Sequence, residues 1–328
     1  MNCNRQILAE MISSIKYWFR LVIGGICLPV VFPWLVYQLY NSRLKNKIRR
    51  NRYLEDKVVL ITGASSGLGE SLAHKFYTAG SKVILSARRK EELERVKNDL
   101  LNLKVEKAHE PAILILDLNE LKEIPFKAKE ALDIFGKIDI LVNNGGISYR
   151  GEIISTSVDV DLRILVVNYL GHVTLTKALL PSLIKQNNGH IIAISSIQGK
   201  IAIPFRSAYS ASKHALQAFF DVLRSELGET NIHVCIVSPG YIKTNLSINA
   251  LTDTGSTYGV MDKTTSTGMD PNVVADAIID AVLLRKNELI LSSLLPQLAL
   301  LIRIMWPSLY FYLMQKRAYR LRNEKKFD

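Results

Sequence analysis

The 328-residue chain contains little cysteine and no internal repeat or low-complexity tract. Its three cysteines, Cys3, Cys27 and Cys235, have a spacing that fits neither a disulfide framework nor a metal-binding motif. Charged residues make up only 22% of the chain and hydrophobic residues 48%, a balance that excludes a highly charged, disordered protein. We therefore expect a globular protein with a sizeable core and no metal site.

The net charge of +12 is concentrated near the two ends of the chain. Residues 43–52, RLKNKIRRNR, carry six basic groups and no acidic one, and KRAYRLRNEKK at 316–326 forms a second cluster. Both clusters adjoin apolar segments, and this combination favours anionic lipid headgroups over a nucleic-acid groove as the partner. We therefore expect contact with a lipid bilayer and none with nucleic acid.

Residues 21–40 contain no charged side chain and, as a helix, would be about 30 Å long, which matches the hydrocarbon core of a bilayer. Trp34, Tyr37 and Tyr40 lead from this segment directly into basic residues, whereas a signal peptide ends in small residues at a cleavage site. We predict an uncleaved transmembrane anchor. The alternatives are a cleaved signal peptide and a buried helix interrupted by two prolines.

Beyond the anchor, short apolar runs such as KVVLITG, KVILSA and HIIAISS alternate with longer helical patterns. Strands that are continuously apolar are typical of a parallel sheet with helices on both faces. The sequence therefore predicts an α/β fold: a Rossmann-type doubly wound parallel sheet in a single domain. A stretch rich in Ser, Thr, Gly and Asp at 246–270 predicts a mobile loop at the ligand-binding edge of that sheet.

The apolar tail after this domain is interrupted by Pro296, Arg303 and Pro307, which favours an interfacial amphipathic helix over a second span. We expect five segments: an N-terminal segment at 1–20, the anchor at 21–40, a basic linker at 41–53, the α/β domain at 54–285 and a membrane-associated tail at 286–328.

The first predicted strand runs into TGASSGLG, which places glycines at 63, 67 and 69 just before a helical pattern. Glycines at such a turn allow the backbone to approach a pyrophosphate, whose charge the following helix N-terminus favours. The second strand ends in LSARRK without an acid, so Arg88 or Arg89 can pair with the 2′-phosphate of NADP, unless both are solvated residues at a helix start. Asp117 is placed either to meet the adenine edge or to cap the next helix.

Tyr209 precedes Lys213 by four residues in SAYSASKHAL, so both lie on one face if this stretch is helical. Together with TGASSGLG, the segments NNGG at 143–146, VVNYLG, ISS and PGYIKT, in this order, resemble the short-chain dehydrogenase/reductase family, in its membrane-anchored, steroid-dehydrogenase-like branch. The resemblance covers about residues 54–285. It implies an NADP(H)-dependent oxidoreductase that interconverts a carbonyl and an alcohol.

The resemblance also assigns catalytic roles. Tyr209 would exchange a proton with the substrate oxygen, and Lys213 would lower the pKa of that phenol and hold the nicotinamide ribose. Ser196 would bind the substrate carbonyl together with Tyr209, and Asn168 would hold a water that connects Lys213 to solvent. Gly145 stands where the family usually has alanine, which we expect to loosen the turn slightly. The implied cofactor-binding residues are Gly63, Ser65, Ser66, Gly67, Leu68, Gly69, Arg88, Asp117, Asn144, Tyr209, Lys213, Pro239, Gly240 and Thr244.

The apolar segments and basic clusters indicate a lipophilic substrate of the steroid, retinoid or acyl- or alkyl-dihydroxyacetone phosphate class. The alternative from another class is a catalytically silent, nucleotide-binding membrane scaffold. An intact Ser-Tyr-Lys-Asn set argues against the scaffold, because pure binding does not need an activated phenol. The family further implies a homodimer in which helices beginning near Val160 and Ser207 pack across a two-fold axis.

The basic cluster after the anchor outweighs the basic residues before it, which predicts a cytosolic catalytic domain on a single-pass endoplasmic reticulum protein. A lumenal domain and a peroxisomal membrane are the alternatives. The final KKFD resembles a di-lysine retrieval signal, or is simply a solvated basic tail. The single N-glycosylation acceptor, Asn245, lies in the segment after PGYIKT and can report the orientation.

Overall fold

The computed structural model describes residues 16, 17, 19, 52–106 and 108–324. The chain divides into two compact units, Met1–Arg52 and Tyr53–Asp328, and the second contains the sheet and the helices named below. The predicted anchor at 21–40, nearly all of the basic linker and the KKFD ending lie outside the described residues.

Nine strands are present in the described part of the chain: β1 Val58–Thr62, β2 Lys82–Ala87, β3 Ala112–Ile115, β4 Ile140–Asn143, β5 Tyr149–Arg150, β6 Gly189–Ile194, β7 Ile232–Pro239, β8 Leu251–Thr252 and β9 Glu288–Leu291. Seven of them form one parallel sheet in the order β3-β2-β1-β4-β6-β7-β9, and β5 pairs with β8 in a second sheet. The strand order reverses between β1 and β4. Such a switch point is where open α/β sheets bind ligands.

Helices cover both faces of the large sheet. The α-helices of this unit are α1 Gly67–Thr78, α2 Lys90–Asn102, α3 Ile124–Phe135, α4 Val158–Leu165, α5 Gly171–Gln186, α6 Ser207–Glu226, α7 Lys263–Ser266, α8 Pro271–Leu283, α9 Leu294–Met305 and α10 Pro307–Glu324. One core packs Leu72 of α1 and Ile278 of α8 against the sheet, and the other packs Leu179 of α5 and Phe220 of α6. Burial on both faces explains the continuously apolar strands, and the predicted doubly wound parallel sheet is confirmed.

Two segment assignments differ from the sequence prediction. β9 pairs with β7, so the sheet continues past residue 285 into the segment assigned to the tail. Glu288 of β9 is exposed, its other three residues are only partly buried, and the strand is followed closely by an apolar helix, so its sequence does not show the pattern of a buried strand. The stretch 246–270, predicted to be a mobile loop, contains β8 and α7 and is paired to β5.

The C-terminal tail forms two helices instead of one. They separate at Trp306 and Pro307, because proline is compatible with the first turn of a helix but not with its interior. α9 has no buried residue, whereas Tyr310 of α10 is 2% exposed and donates a hydrogen bond from its hydroxyl to Ala202 O at 2.5 Å. The tail is therefore attached to the catalytic domain.

Within the described residues, one continuous helical stretch, Val158–Gln186, is long and apolar enough to cross a membrane. Half of its most apolar window is buried inside the protein, and Leu175, Leu179 and Leu183 belong to the core beneath the sheet. This stretch is therefore a core helix of the α/β domain.

Candidate active site

Hydrogen bonds around Thr62 join the carboxyl ends of β1 and β4. The Thr62 hydroxyl donates to Val142 O at 3.1 Å and accepts from the backbone N–H groups of Asn144 and Gly145 at 2.9 and 3.0 Å. The Asn144 side chain donates to Thr62 O at 2.9 Å. The turn that follows β1 and the turn that follows β4 are therefore held side by side at the switch point.

The turn after β1 requires glycine at three positions, for two different reasons. Gly63 and Gly67 have φ values of 67° and 58°, in the left-handed region that disfavours other residues. Gly69 lies so close to the turn that an added Cβ would be 2.1 Å from Gly63 O. Ser66 makes no side-chain cap bond to α1, so the first N–H groups of that helix remain for a ligand. This cradle fits a pyrophosphate group.

Two arginines flank the cradle at the end of β2. Arg89 Nη2 lies 3.4 Å from Ser65 Oγ, and Arg88 Nη1 lies 3.9 Å from an Asp117 carboxylate oxygen. Asp117 also accepts a hydrogen bond from the backbone N–H of Asn119 at 2.9 Å, within the turn that follows β3. The N-cap of the next helix, α3, is Glu123, so Asp117 is not the helix cap that the sequence left as an alternative. The Arg88 side chain is 56% exposed and remains available to an anion.

A cleft of about 510 Å³ crosses these turns. It is lined by Ser196 and by all the predicted cofactor-binding residues but one, namely Gly63, Ser65, Ser66, Gly67, Leu68, Arg88, Asp117, Asn144, Tyr209, Lys213, Pro239, Gly240 and Thr244. The exception is Gly69, which packs beneath the turn. The cleft therefore brings together residues from six strand ends and from α6.

Tyr209 and Lys213 occupy the first two turns of α6, and Ser196 follows β6. Lys213 Nζ donates to Ile194 O at 2.9 Å and lies 5.8 Å from the centre of the Tyr209 ring. The Ser196 hydroxyl donates to Pro239 O at 3.5 Å, and its side chain is close enough to Tyr209 to lower the pKa of that phenol. The Ser196 hydroxyl also accepts from the backbone N–H of Gln198 at 3.1 Å. A phenol, a hydroxyl and an amine thus converge on one end of the cleft.

Burial dominates the electrostatics of this group. It raises the pKa of Tyr209, while the hydrogen bond to Ser196 and the positive charge of Arg150 act in the opposite direction. Burial also lowers the pKa of Lys213 to about 8. We expected the Lys213 ammonium to lower the pKa of Tyr209, but Nζ is directed at the Ile194 carbonyl, and Ser196 and Arg150 exert that influence here.

Asn168 is fully buried and does not line the cleft. Its side-chain oxygen accepts from Ile147 N at 2.8 Å, and its amide donates to Ile147 O at 2.9 Å and to Ser212 Oγ at 3.1 Å. The residue lies in a π-helical turn, Val166–Leu170, a distortion that often marks functional sites. The side chain therefore fixes the loop between β4 and β5 at Ile147, and the water contact implied by the family resemblance stays a prediction.

The turn at Gly145 is not loosened by the absence of a methyl group. A Cβ at this position would meet the Leu118 side chain at 2.8 Å, so Leu118 already fills the space. The carbonyl of Gly145 is bonded to His172 Nε2 at 2.6 Å, and His172 Nδ1 lies 3.1 Å from Asn143 Oδ1. Burial lowers the pKa of His172 to about 3, so this link stays neutral.

A cluster of two arginines and one aspartate, missed by the sequence analysis, lies next to the catalytic group. Arg150 donates from Nε and Nη2 to Asp262 Oδ2 at 2.8 and 2.5 Å, and Arg206 Nη2 lies 3.3 Å from the same oxygen. Arg150 lines the cleft and also bonds Ser148 Oγ at 2.6 Å. Because Arg150 and Asp262 are 112 positions apart, no local pattern could have paired them.

This cluster has an excess positive charge close to Tyr209. Burial lowers the pKa of Arg206 to about 10, and the neighbouring charge of Arg150 acts in the same direction. One carboxylate thus compensates two partly desolvated guanidinium groups. Asp262 holds the 246–270 segment against the cleft.

Comparison with known proteins is consistent with this geometry. A family model described as short chain dehydrogenase matches residues 57–255. A Drosophila melanogaster protein named dehydrogenase/reductase SDR family protein 7-like is 53% identical over 313 residues, covering 95% of this chain and 94% of its own. Dehydrogenase/reductase SDR family member 7B of Xenopus laevis is 49% identical over 304 residues, covering 90% and 94%.

Solved structures share the fold. An alcohol dehydrogenase from Thermococcus sibiricus, complexed with 5-hydroxy-NADP, is 25% identical with a TM-score of 0.62, over 72% of this chain and 96% of its own. A short-chain dehydrogenase from Streptomyces avermitilis is 31% identical with a TM-score of 0.62, over 73% and 88%. An NAD complex from Burkholderia phymatum, 22% identical with a TM-score of 0.65 over 72% and 89%, supports the fold alone.

The arginine cluster predicts an order of stabilities. Asp262→Ala leaves two guanidinium groups without their shared carboxylate, and we expect it to lower the free energy of unfolding by about 3–5 kcal/mol. Arg206→Ala keeps the Arg150–Asp262 pair and should cost less. Urea unfolding in mild detergent measures both variants, with the double variant as a control that removes one charge of each sign. Equal losses for the two single variants would contradict the shared-carboxylate arrangement.

Proposed function

The chain belongs to the short-chain dehydrogenase/reductase family, and we propose that it is a membrane-anchored, NADP(H)-dependent oxidoreductase that interconverts a carbonyl and an alcohol on a lipophilic substrate. The observation that carries the proposal is the convergence of Ser196, Tyr209 and Lys213 at one end of a cleft whose other end is the glycine cradle. Such a pairing of an acid-base group with a nucleotide site fits hydride transfer to a carbonyl.

The chain's own residues account for binding and proton transfer. The glycine cradle would hold the pyrophosphate, Arg88 the 2′-phosphate, and Lys213 the ribose next to the reacting centre. NADPH, when bound, supplies the hydride. The Tyr209 hydroxyl donates its proton to the substrate oxygen as negative charge develops on it, and the Ser196 hydroxyl donates a hydrogen bond to the same oxygen. The nearby positive charge of Arg150 stabilises the phenolate that remains.

The preference for NADP(H) is supported by Arg88 and Arg89 at the end of β2 and by the absence of an acid on that strand. Asp117, which comes from the end of β3, is engaged with Asn119 and lies 3.9 Å from Arg88. Related structures hold either 5-hydroxy-NADP or NAD, so the fold itself accepts both nucleotides. The arginines are therefore the determinant that we assign.

The lipophilic substrate is supported by the apolar segment at 21–40 and by the exposed apolar side chains of α9. Steroids, retinoids and acyl- or alkyl-dihydroxyacetone phosphates all satisfy this requirement. For the location we propose the endoplasmic reticulum membrane, with a single span and the catalytic domain in the cytosol. The basic residues that follow 21–40 support this orientation.

We also propose a homodimer that uses α4 and α6. These helices expose the apolar side chains of Val158 (70%), Leu162 (53%) and Val222 (56%), which supports an interface there.

Replacing the phenol tests the mechanism. Tyr209→Phe removes the proton donor but little volume, so we expect turnover to fall by about two to four orders of magnitude with NADPH affinity nearly unchanged. NADPH oxidation with a panel of lipid ketones measures turnover, and fluorescence titration measures binding. Tyr77→Phe alters another buried tyrosine, outside the cleft, and should retain activity. An active Tyr209→Phe enzyme would show the assigned mechanism to be wrong, and NADPH binding by an inactive wild type would favour the scaffold hypothesis.

Replacing one arginine tests the cofactor preference. Arg88→Asp removes the cation and adds a charge that repels a 2′-phosphate, so we expect the preference to reverse from NADPH to NADH. Titration of the wild type and the variant with both nucleotides measures this. Lys90→Asp makes the same charge change two residues away, outside the cleft, and should leave the ratio of affinities unchanged. Equal wild-type affinity for the two nucleotides would contradict the assignment.

Asn245 tests the orientation in the membrane. The residue is exposed, so it would be accessible to glycosylation in the lumen. For a cytosolic domain, we expect no glycosidase-sensitive mass shift in microsomes and digestion of the domain by protease added to intact vesicles. A shift that disappears in Asn245→Gln, together with protection from protease, would assign the domain to the lumen.

A further inference from the structure

The two C-terminal helices present apolar side chains that the described part of the protein does not cover. Leu294, Leu295 and Ile304 are 74%, 77% and 68% exposed, and Trp306 is 59% exposed. We call the exposed apolar side chains between Leu294 and Tyr319 the C-terminal apolar face. So many exposed apolar side chains on two consecutive helices of a folded domain indicate an interaction site.

We propose that the C-terminal apolar face docks in the plane of an anionic phospholipid bilayer, beside the substrate end of the cleft. The role of the docked face in substrate entry rests on the proposed lipophilic substrate. The docking itself rests on the shape, charge and attachment of α9 and α10.

The positive charge of α9 and α10 indicates which partner covers the C-terminal apolar face. The two helices, residues 294–324, contain one acidic residue, Glu324, and five basic ones, namely Arg303, Lys316, Arg317, Arg320 and Arg322. A second copy of the chain on this face would bring ten basic groups together with only two carboxylates from these helices. Anionic headgroups supply the opposite charge at the boundary of an apolar phase, where basic residues beside apolar and aromatic ones are favoured.

The basic and aromatic side chains are arranged as at a lipid–water interface. The guanidinium of Arg303 lies 4.8 Å from the centre of the Phe311 ring, and Lys316 Nζ lies 4.7 Å from the Tyr312 ring. The charged ends of both side chains therefore lie against exposed aromatic rings of the apolar face, and long basic side chains beside apolar surface can reach lipid headgroups. Trp306, between the helices, is of a type enriched at that depth.

The length of the C-terminal helices favours docking in the plane of the bilayer over crossing it. α9 has 12 residues and is therefore about 18 Å long, against about 30 Å for the hydrocarbon core. α10 is longer but carries four of the five basic residues, which are costly at the centre of a bilayer.

The face is attached to the segment that leaves the catalytic group. Tyr310 packs with Ile197 and Ile201, and its hydroxyl bonds to Ala202 O at 2.5 Å. Arg322 lies 3.3 Å from Glu152, which follows β5. Residues 197–206 connect Ser196 with the start of α6, so a bilayer on the outer side of α9 and α10 would lie next to this end of the cleft. A lipophilic substrate could then pass from the bilayer without crossing water.

Trp306 is a built-in probe for docking. The full-length chain with Trp18→Phe and Trp34→Phe retains it as its sole tryptophan. The protein is reconstituted in nanodiscs of phosphatidylcholine, with or without phosphatidylserine, whose acyl chains are brominated near the headgroup or unbrominated. We expect bromine to remove most of the Trp306 emission. The loss should be larger with phosphatidylserine, and this difference should shrink as salt screens the headgroups.

Matched variants assign the effect to the face. Leu295→Glu with Ile304→Glu places charges on it and should restore most of the emission, with NADPH binding as the check of folding. Phe126→Glu with Val273→Glu alters side chains that are 70% and 64% exposed on α3 and α8, and should leave the quenching intact. Emission that is unaffected by bromine would overturn the proposal. If the emission changes only when a nanodisc holds two copies of the protein, the face is a self-association surface. That result would also overturn the proposal.

Quenching of Trp306 does not require turnover, so the docking proposal and the proposed oxidoreductase function can be refuted independently. An inactive protein whose Trp306 is quenched would refute the oxidoreductase function alone. An active enzyme whose Trp306 is not quenched would refute the docking alone.

Discussion

The hydroxyl of Thr62 is the junction on which the cleft depends, because it accepts two N–H groups from the turn after β4 while donating to that strand. β1 and β4 are paired along the sheet, but the connections that follow them leave in opposite directions at the switch point, and the Thr62 hydroxyl holds the two turns together. Close packing of Gly69 beneath Gly63 then fixes where α1 begins. The nucleotide cradle therefore follows from one side-chain hydroxyl and one missing Cβ.

The chemistry at the other end of the cleft depends on opposing electrostatic effects. Burial disfavours both the phenolate of Tyr209 and the ammonium of Lys213, so each group is less readily charged than in water. Ser196 and the cluster of Arg150 and Arg206 act against this for the phenol. The pKa of Tyr209 is thus set by several neighbouring groups, including Arg150, which Asp262 holds in place.

The C-terminal helices connect this site with the surface of the domain. α10 is held by Tyr310 against the segment that follows Ser196, whereas α9 has no fully buried residue and packs only partly buried side chains, Ala299, Leu300 and Ile302, against that segment. Exposed apolar area is unfavourable in water, so an apolar helix with no fully buried residue is unfavourable on a surface that faces water. The substrate end of the cleft and the proposed bilayer contact are therefore parts of one arrangement.

The sequence by itself determined the doubly wound sheet, the glycine turn and the spacing of Tyr209 and Lys213, because periodicity, turn chemistry and helical repeat are encoded over a few neighbouring residues. Only the tertiary structure decided that β9 joins the sheet, that Leu118 fills the space beside Gly145, and that Asp262 holds Arg150. These features come from contacts between distant residues. No local pattern specifies which distant partner will share a buried charge or occupy a gap left by a missing methyl group.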